Sequence, residues 1–190
     1  MALQSVDEGQ ACSFTGHRPA RLRMACGSDA VRALTECLYR HTLYLYYESG
    51  IRHFFSGMAQ GTDIWCAQQV LRLRRYKPEV SLHCVLPCYN QEKRWSERER
   101  RVYREILSQA DEVFYLNGSY FQGCMQERNR YLVDRAQTLL AVYDGAPGGG
   151  TEYTVRYAQS RDRRIILVRP QELWAPPVRE EWCGTGLERL

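Results

Sequence analysis

Short apolar runs alternate along this chain with longer segments whose apolar positions recur at helical spacing. Ala11-Cys12-Ser13-Phe14 reads as a buried strand that breaks at Thr15-Gly16-His17-Arg18-Pro19, where proline keeps a helix from starting at once. Ser28 or Asp29 caps a long helix to about Glu48, with Val31, Leu34, Leu38 and Leu45 as its apolar stripe. Ser49-Gly50 ends it. A strand from His53 to Ser56 and a helix from Thr62 to Tyr76 follow. Pro78 then separates that helix from the strand Val80 to Leu86, which Pro87 closes. Gln91 to Gln109 reads as a charged helix with Trp95, Val102, Ile106 and Leu107 inward, and its Glu and Arg residues, such as Glu97 and Arg101, as a solvated face. The series continues with a strand Glu112 to Leu116, a helix Met125 to Arg135 and the apolar strand Thr138 to Tyr143. A glycine-rich turn, Asp144 to Thr151, leads into a helix to about Ser160, and Arg164 to Val168 is the last strand.

Strands this continuously apolar cannot have one face in water. Their alternation with helices predicts an α/β fold with a mainly parallel sheet covered by helices on both faces. In such sheets ligands bind at the carboxyl ends of the strands. The expected organisation is a single domain over residues 1–190. Its core covers about 11–169, and residues 170–190, with Trp174 and Trp182, form an irregular tail packed outside.

Composition changes this picture little. A formal charge of +4 over 190 residues is too small to indicate nucleic acid by itself, which leaves that partner unexpected. Met1 to Gln10 lacks the apolar core of a signal peptide, and no run approaches the ~20 apolar residues that span a bilayer. A cytoplasmic protein with no membrane partner is therefore expected; self-association is left open. Eight cysteines occur without a CxxC pair, and Cys84 with Cys88 has no second pair to complete a zinc pattern. Buried reduced thiols are expected, with no metal and no cofactor.

The chemistry-bearing residues gather at strand ends. The first offers Thr15, Gly16, His17 and Arg18; the second Ser56, Gly57, Met58, Gly61, Thr62 and Asp63; the fifth Asp144 and then Gly148, Gly149, Gly150 and Thr151. Arg128 stands in the opening turns of a helix just before the fifth strand. Gly57 and Gly61 carry no Cβ, so backbone amides there can approach a ligand. A helix start adds unpaired N–H groups and the positive end of its dipole, which favour phosphate or carboxylate. Each group also has a plainer reading: loop packing for the glycines, carbonyl capping for His17 and Arg18, dipole stabilisation for Asp63, and an Asx-turn for Asp144. Neither glycine turn matches GxGxxG, and no GxxxxGK[ST] is present, which argues against a Walker ATPase and an ordinary dehydrogenase.

Taken together, Thr15-Gly16-His17-Arg18-Pro19, the Ser56-Gly57-x-Ala59-x-Gly61-x-Asp63 turn and Gly148-Gly149-Gly150-Thr151 resemble the YpsA-like branch of the SLOG superfamily, which also holds DprA and the LOG enzymes. The resemblance covers roughly residues 11–169. It implies a Rossmann-like fold whose glycine turns bind a nucleotide or nucleotide-derived ligand. LOG enzymes cleave the N-glycosidic bond of nucleoside 5′-monophosphates, and Arg128 falls on the arginine of their signature. Their glutamate position falls on Thr154, whereas Glu152 sits two places earlier, about 200° away around a helix. Cleavage through an oxocarbenium-like state needs a carboxylate close to the sugar. The expected function is binding or sensing of a nucleotide-derived ligand without strong catalysis. The alternatives are LOG-like hydrolysis using Arg128 and Glu152, and single-stranded DNA binding in the manner of DprA.

Overall fold

The computed structural model describes residues 6–22, 29–174 and 187–188, so the expectations for Cys26, Ser28, Trp182 and Cys183 lie outside the described residues. In chain order the elements are β1 (Ala11–Gly16), α1 (Pro19–Leu22), α2 (Asp29–Tyr47), β2 (His53–Ser56), α3 (Thr62–Arg74), β3 (Ser81–Cys88) and α4 (Glu97–Gln109). Then come β4 (Glu112–Asn117), α5 (Cys124–Asp134), β5 (Thr138–Val142), α6 (Gly150–Ser160), β6 (Arg164–Val168) and β7 (Leu187–Glu188). The strands form one seven-stranded sheet in the order β4-β3-β2-β1-β5-β6-β7, and every pairing is parallel.

Side chains alternate between the two faces of each strand, and both faces are apolar. Cys12, Phe14, Phe54, Leu82, Leu86, Leu140 and Val142 pack on Leu34, Leu38, Val70, Leu73 and Ile106 of α2, α3 and α4. The alternate positions Ala11, Phe55 and Val85 meet Leu132 of α5. Leu139, Ala141 and Ile165 meet Val133 of α5 and Val155 and Ala158 of α6. This is the α/β sheet with helices on both faces that the alternation predicts. Removing side chains such as Phe14 and Phe54, which stack at 5.9 Å, from water contributes about 1.5–3 kcal/mol each.

The chain walks outward from β1 to β4 on one side. It then returns through α5 to place β5 on the other side of β1. The strand order therefore reverses between β1 and β5, and a crevice opens there at the carboxyl ends.

Several boundaries differ from the pattern reading. Pro19 does not delay a helix but occupies the first position of α1, where its missing N–H would have no partner anyway. The charged helix begins at Glu97 rather than Gln91, because Ser96 and Glu99 close a capping box. Strand β3 runs through Pro87 to Cys88; β2 pairing ends at Ser56 against Cys84, and the Pro87 carbonyl accepts from Asn117 Nδ2 at 3.1 Å. The tail is not wholly irregular either, since Leu187 and Glu188 pair with Ile165 and Ile166 as an edge strand.

Among the described residues the six cysteines are free thiols, and burial pushes Cys12 up to about 12 and Cys66 well above its ordinary value. No described group of His, Cys, Asp and Glu is arranged to hold a metal ion, and no helix is long and apolar enough to cross a membrane.

Candidate functional site

Three strand-to-helix turns meet at the carboxyl edge, and glycines let them touch. A Cβ on Gly16 would lie 2.4 Å from Thr62 Oγ1. One on Gly61, whose φ is +90°, would lie 2.9 Å from the His17 carbonyl oxygen. The first and second turns are thus pressed together, and the Thr62 hydroxyl donates to the His17 carbonyl at 3.1 Å. Gly57 has a different neighbour: its missing Cβ would sit 1.5 Å from Arg128 Nη1. The glycines expected to expose amides to a ligand therefore make room for protein atoms. Arg128 enters the space above Gly57, and the β1 loop covers Gly61.

Arg128, from the second turn of α5, is buried and pairs with the equally buried Asp63 at 3.4 Å. Its Nε donates to Asn129 Oδ1 at 2.8 Å. Burial raises the Asp63 carboxyl, opposed by Arg128 and by the Ala59 amide, which donates to it at 3.2 Å. Burial likewise lowers Arg128, opposed by Asp63. Asp63 thus closes the β2–α3 turn from within and does not present itself to a ligand. Ser56 is used in the same way: its hydroxyl donates to the Asp63 carbonyl and accepts from the Met58 amide, both at 3.1 Å. Met58, at φ 56°, has a fully buried side chain in the core, and its carbonyl accepts from Gln91. It has no group left to offer to a ligand.

The third turn is tied to the first by charge. The buried His17 donates from Nε2 to Asp144 Oδ1 at 2.7 Å. Burial alone would raise the Asp144 carboxyl, but the Ala146 amide, the His17 ring and Arg21 outweigh it and hold it below its ordinary value. The Ala146 amide closes the Asx-turn at 3.0 Å. Arg21, which sequence reasoning missed, donates to the carbonyls of Gly148 at 3.1 Å and Ala146 at 3.2 Å and lies 3.5 Å from Asp144 Oδ2. Reading Pro19 as a first helical residue would have found it, because that turn carries Arg21 over the glycine loop.

Gly148, Gly149 and Gly150 are exposed while Thr151 is buried, and Gly148 and Gly149 have φ of 87° and 98°, which favours glycine. Gly149 makes no side-chain cap, so the amides of Gly150 and Thr151 have no acceptor within the described residues. Glu152 reaches back to the Gly148 amide and pairs with Arg156 at 3.6 Å. Thr154, at the position matching the LOG glutamate, donates to the Gly150 carbonyl at 2.7 Å and accepts from Asn129 at 2.8 Å. Asn129 also lies beside Gly150, so neighbouring residues on α5 brace both glycine turns: Arg128 at Gly57, Asn129 at Gly150.

Among the described residues at this edge, one arginine side chain stays uncommitted. Arg18 is exposed, its side chain makes no hydrogen bond or ion pair with the described residues, and it lies close enough to act on both Asp63 and Arg128. Arg21 and Arg128 are each matched by a carboxylate, so Arg18 and the α6 dipole are the positive groups left over, with Glu152 the carboxylate beside them at the α6 start. A cavity of about 330 Å³ runs from Gly149 and Glu152 along α6 past Tyr153 and Arg156, and another of about 420 Å³ lies away from this edge between α2, α3 and α4, at Gln69 and Arg72.

This geometry defines a Rossmann-like sheet whose switch point carries paired glycine turns, as in the SLOG superfamily. Residues 12–173 match the model of the YspA SLOG family (YpsA), and the chain belongs to that family. A UPF0398 protein of Halalkalibacterium halodurans is 31% identical over 85% of this chain and 88% of its own. YpsA of Bacillus subtilis is 24% identical over 78% and 84%. Among solved structures, DprA of Streptococcus pneumoniae superposes with a TM-score of 0.55 at 13% identity, over 83% of this chain and 49% of that one. DprA of Helicobacter pylori, described for its single-stranded DNA binding mode, gives 0.56 at 17% identity, over 84% and 65%. The chain thus spans about half of the first of these and 65% of the second; the likeness is one of fold.

Proposed function

We propose that the chain binds a nucleotide-derived anion at the carboxyl edge of β1, β2 and β5, with Arg18 and the amides of Gly149, Gly150 and Thr151 contacting its phosphate. The observation that carries this reading is a pair of groups at the carboxyl ends of the neighbouring strands β1 and β5: the exposed Arg18 guanidinium, unpaired within the described residues, and the α6 start, which has no side-chain cap. Arg18 suits bidentate phosphate recognition, and the α6 amides add donors aligned with a helix dipole. His17, Arg21, Asp63 and Arg128 act as the frame that holds the turns together. LOG-like hydrolysis draws no support from α6, where Glu152 caps its own turn and Thr154 is bonded to Asn129.

Thermal unfolding in the presence of nucleoside mono- and diphosphates and nucleotide sugars tests the proposal. A ligand at 100 times its Kd raises stability by about 2.7 kcal/mol, and Arg18→Ala is expected to remove most of that rise. No stabilisation by any phosphate-bearing compound would defeat it.

A second reading, single-stranded DNA, is favoured by a different observation. Tyr89, Tyr120 and Phe121 stand exposed on the loops after β3 and β4, and Tyr89 stacks on Tyr115 at 4.2 Å. Exposed aromatics beside arginines stack bases without regard to sequence. Retention of an oligonucleotide that weakens steeply between about 50 and 200 mM salt would favour this reading.

A further inference from the structure

The amino edge of the sheet carries a second cluster that the proposed ligand site does not use. His53, Ser81 and Glu112 open β2, β3 and β4, and His83 follows Ser81 on the same face of β3. Parallel register places His53 against Ser81 and His83 against Glu112. His83 Nδ1 lies 2.9 Å from Glu112 Oε2, and its Nε2 lies 2.9 Å from Ser81 Oγ. His53 Nδ1 lies 2.7 Å from the same oxygen.

With both imidazoles neutral, the row has a proton order that suits a nucleophile. A carboxylate only accepts, so His83 Nδ1 carries a hydrogen, and in the neutral ring Nε2 is then an acceptor. The Ser81 hydroxyl then donates to Nε2; the Arg52 carbonyl, at 3.4 Å, is the poorer acceptor. With that hydrogen committed, His53 Nδ1 is the donor facing both the Ser81 oxygen and, at 3.3 Å, His83 Nε2, and the serine oxygen is the nearer acceptor. The His83 ring is held by stacking on Phe55 at 4.7 Å and 18°. Serine, imidazole and carboxylate therefore stand in the order and at the spacing of an activated nucleophile with its base and orienting acid.

We propose that Ser81 is the nucleophile of an ester-cleaving site, with His83 as its general base and Glu112 as a positioning residue. Oγ attacks the ester carbonyl carbon while its proton passes to His83 Nε2 and the carbonyl π pair moves onto the carbonyl oxygen; His53 holds Oγ in place from the other side. Collapse expels the alcohol, which leaves with the proton held on Nε2. Water, deprotonated by the same nitrogen, then releases the acid and restores the hydroxyl. Half-buried Ser81 and His53 admit only a small acyl group. The carboxylates of Asp7, Asp111 and Glu112 nearby disfavour an anionic ester.

The test is covalent labelling of the folded wild-type chain by a fluorophosphonate, which forms an Oγ–P bond and loses fluoride, followed by peptide mapping. Modification at Ser81 is expected. In His83→Gln it should slow by roughly 10²–10⁴-fold, as loss of a general base does. Glu112→Gln, which offers a donor and so favours the wrong His83 tautomer, should also label slowly, and Glu112→Asp should recover part of the rate. Hydrolysis of p-nitrophenyl acetate should be lost in Ser81→Ala. An unmodified Ser81 in the wild type, His83→Gln labelling at the parental rate, or ester turnover unchanged in Ser81→Ala would each overturn the proposal. The wild-type mapping needs no variant to fold. It also reads a site at the opposite end of the strands from the nucleotide edge.

Discussion

Arg128→Met is expected to destabilise the fold by about 3–5 kcal/mol, because it leaves the Asp63 carboxylate buried without its partner. In urea titration this corresponds to a fall of about 2 M in midpoint for an ordinary m-value. The double variant Asp63→Leu, Arg128→Met removes both charges and should recover most of the loss, since an apolar pair avoids the desolvation of two ions. Gly57→Ala should behave like the single variant. Its Cβ would lie 1.5 Å from Arg128 Nη1, so the guanidinium must leave its place. An Arg128→Met protein within about 1 kcal/mol of the parent would show that the pair does not brace the second turn.

The next largest effect concerns acid. His41 on α2 is 4% exposed, its Nδ1 has no partner, and burial pulls its imidazole down to about 4 from 6.5. The folded state therefore keeps His41 neutral where the unfolded chain already takes up a proton. Stability is complete above pH 6.5, falls as pH drops below that value, and levels off below about pH 4. The whole loss is on the order of 3 kcal/mol. Replacing His41 with leucine should flatten this slope, read as unfolding free energy against pH from 7 to 4. An unchanged slope would place the acid sensitivity in other groups.

The sheet was legible because its strands are continuous apolar runs, and a parallel interior demands such runs. Thr138 to Val142 and Arg164 to Val168 could hardly be anything else. The strand ends that collect glycine and charge were legible for the same reason, since the alternation fixes which ends share an edge. What each residue does there was not. Gly57 reads as an opening for a ligand until Arg128, far along the chain, fills it. Asp63 reads as a helix-start carboxylate until burial and that same arginine engage it. Such pairings depend on how α5 crosses the sheet, which periodicity does not encode. Local chemistry was available but outweighed in two places: the Ser96 and Glu99 box gives the true start of α4, and Pro19 at a first helical position carries Arg21. The amino-edge row from His53 to Glu112 was invisible because its members come from the starts of three separate strands. Only strand register brings them side by side.

The nucleotide-edge reading rests on donors left free at the start of α6 and on Arg18. Amide NMR of the nitrogen-15-labelled chain, titrated with a nucleoside 5′-monophosphate and separately with inorganic phosphate, reads those groups directly. Saturable shifts are predicted for Gly149, Gly150, Thr151 and the Arg18 side chain, with the nucleotide acting at lower concentration than phosphate. Resonances of those four residues that stay fixed at millimolar nucleotide, while the protein remains folded, would contradict it.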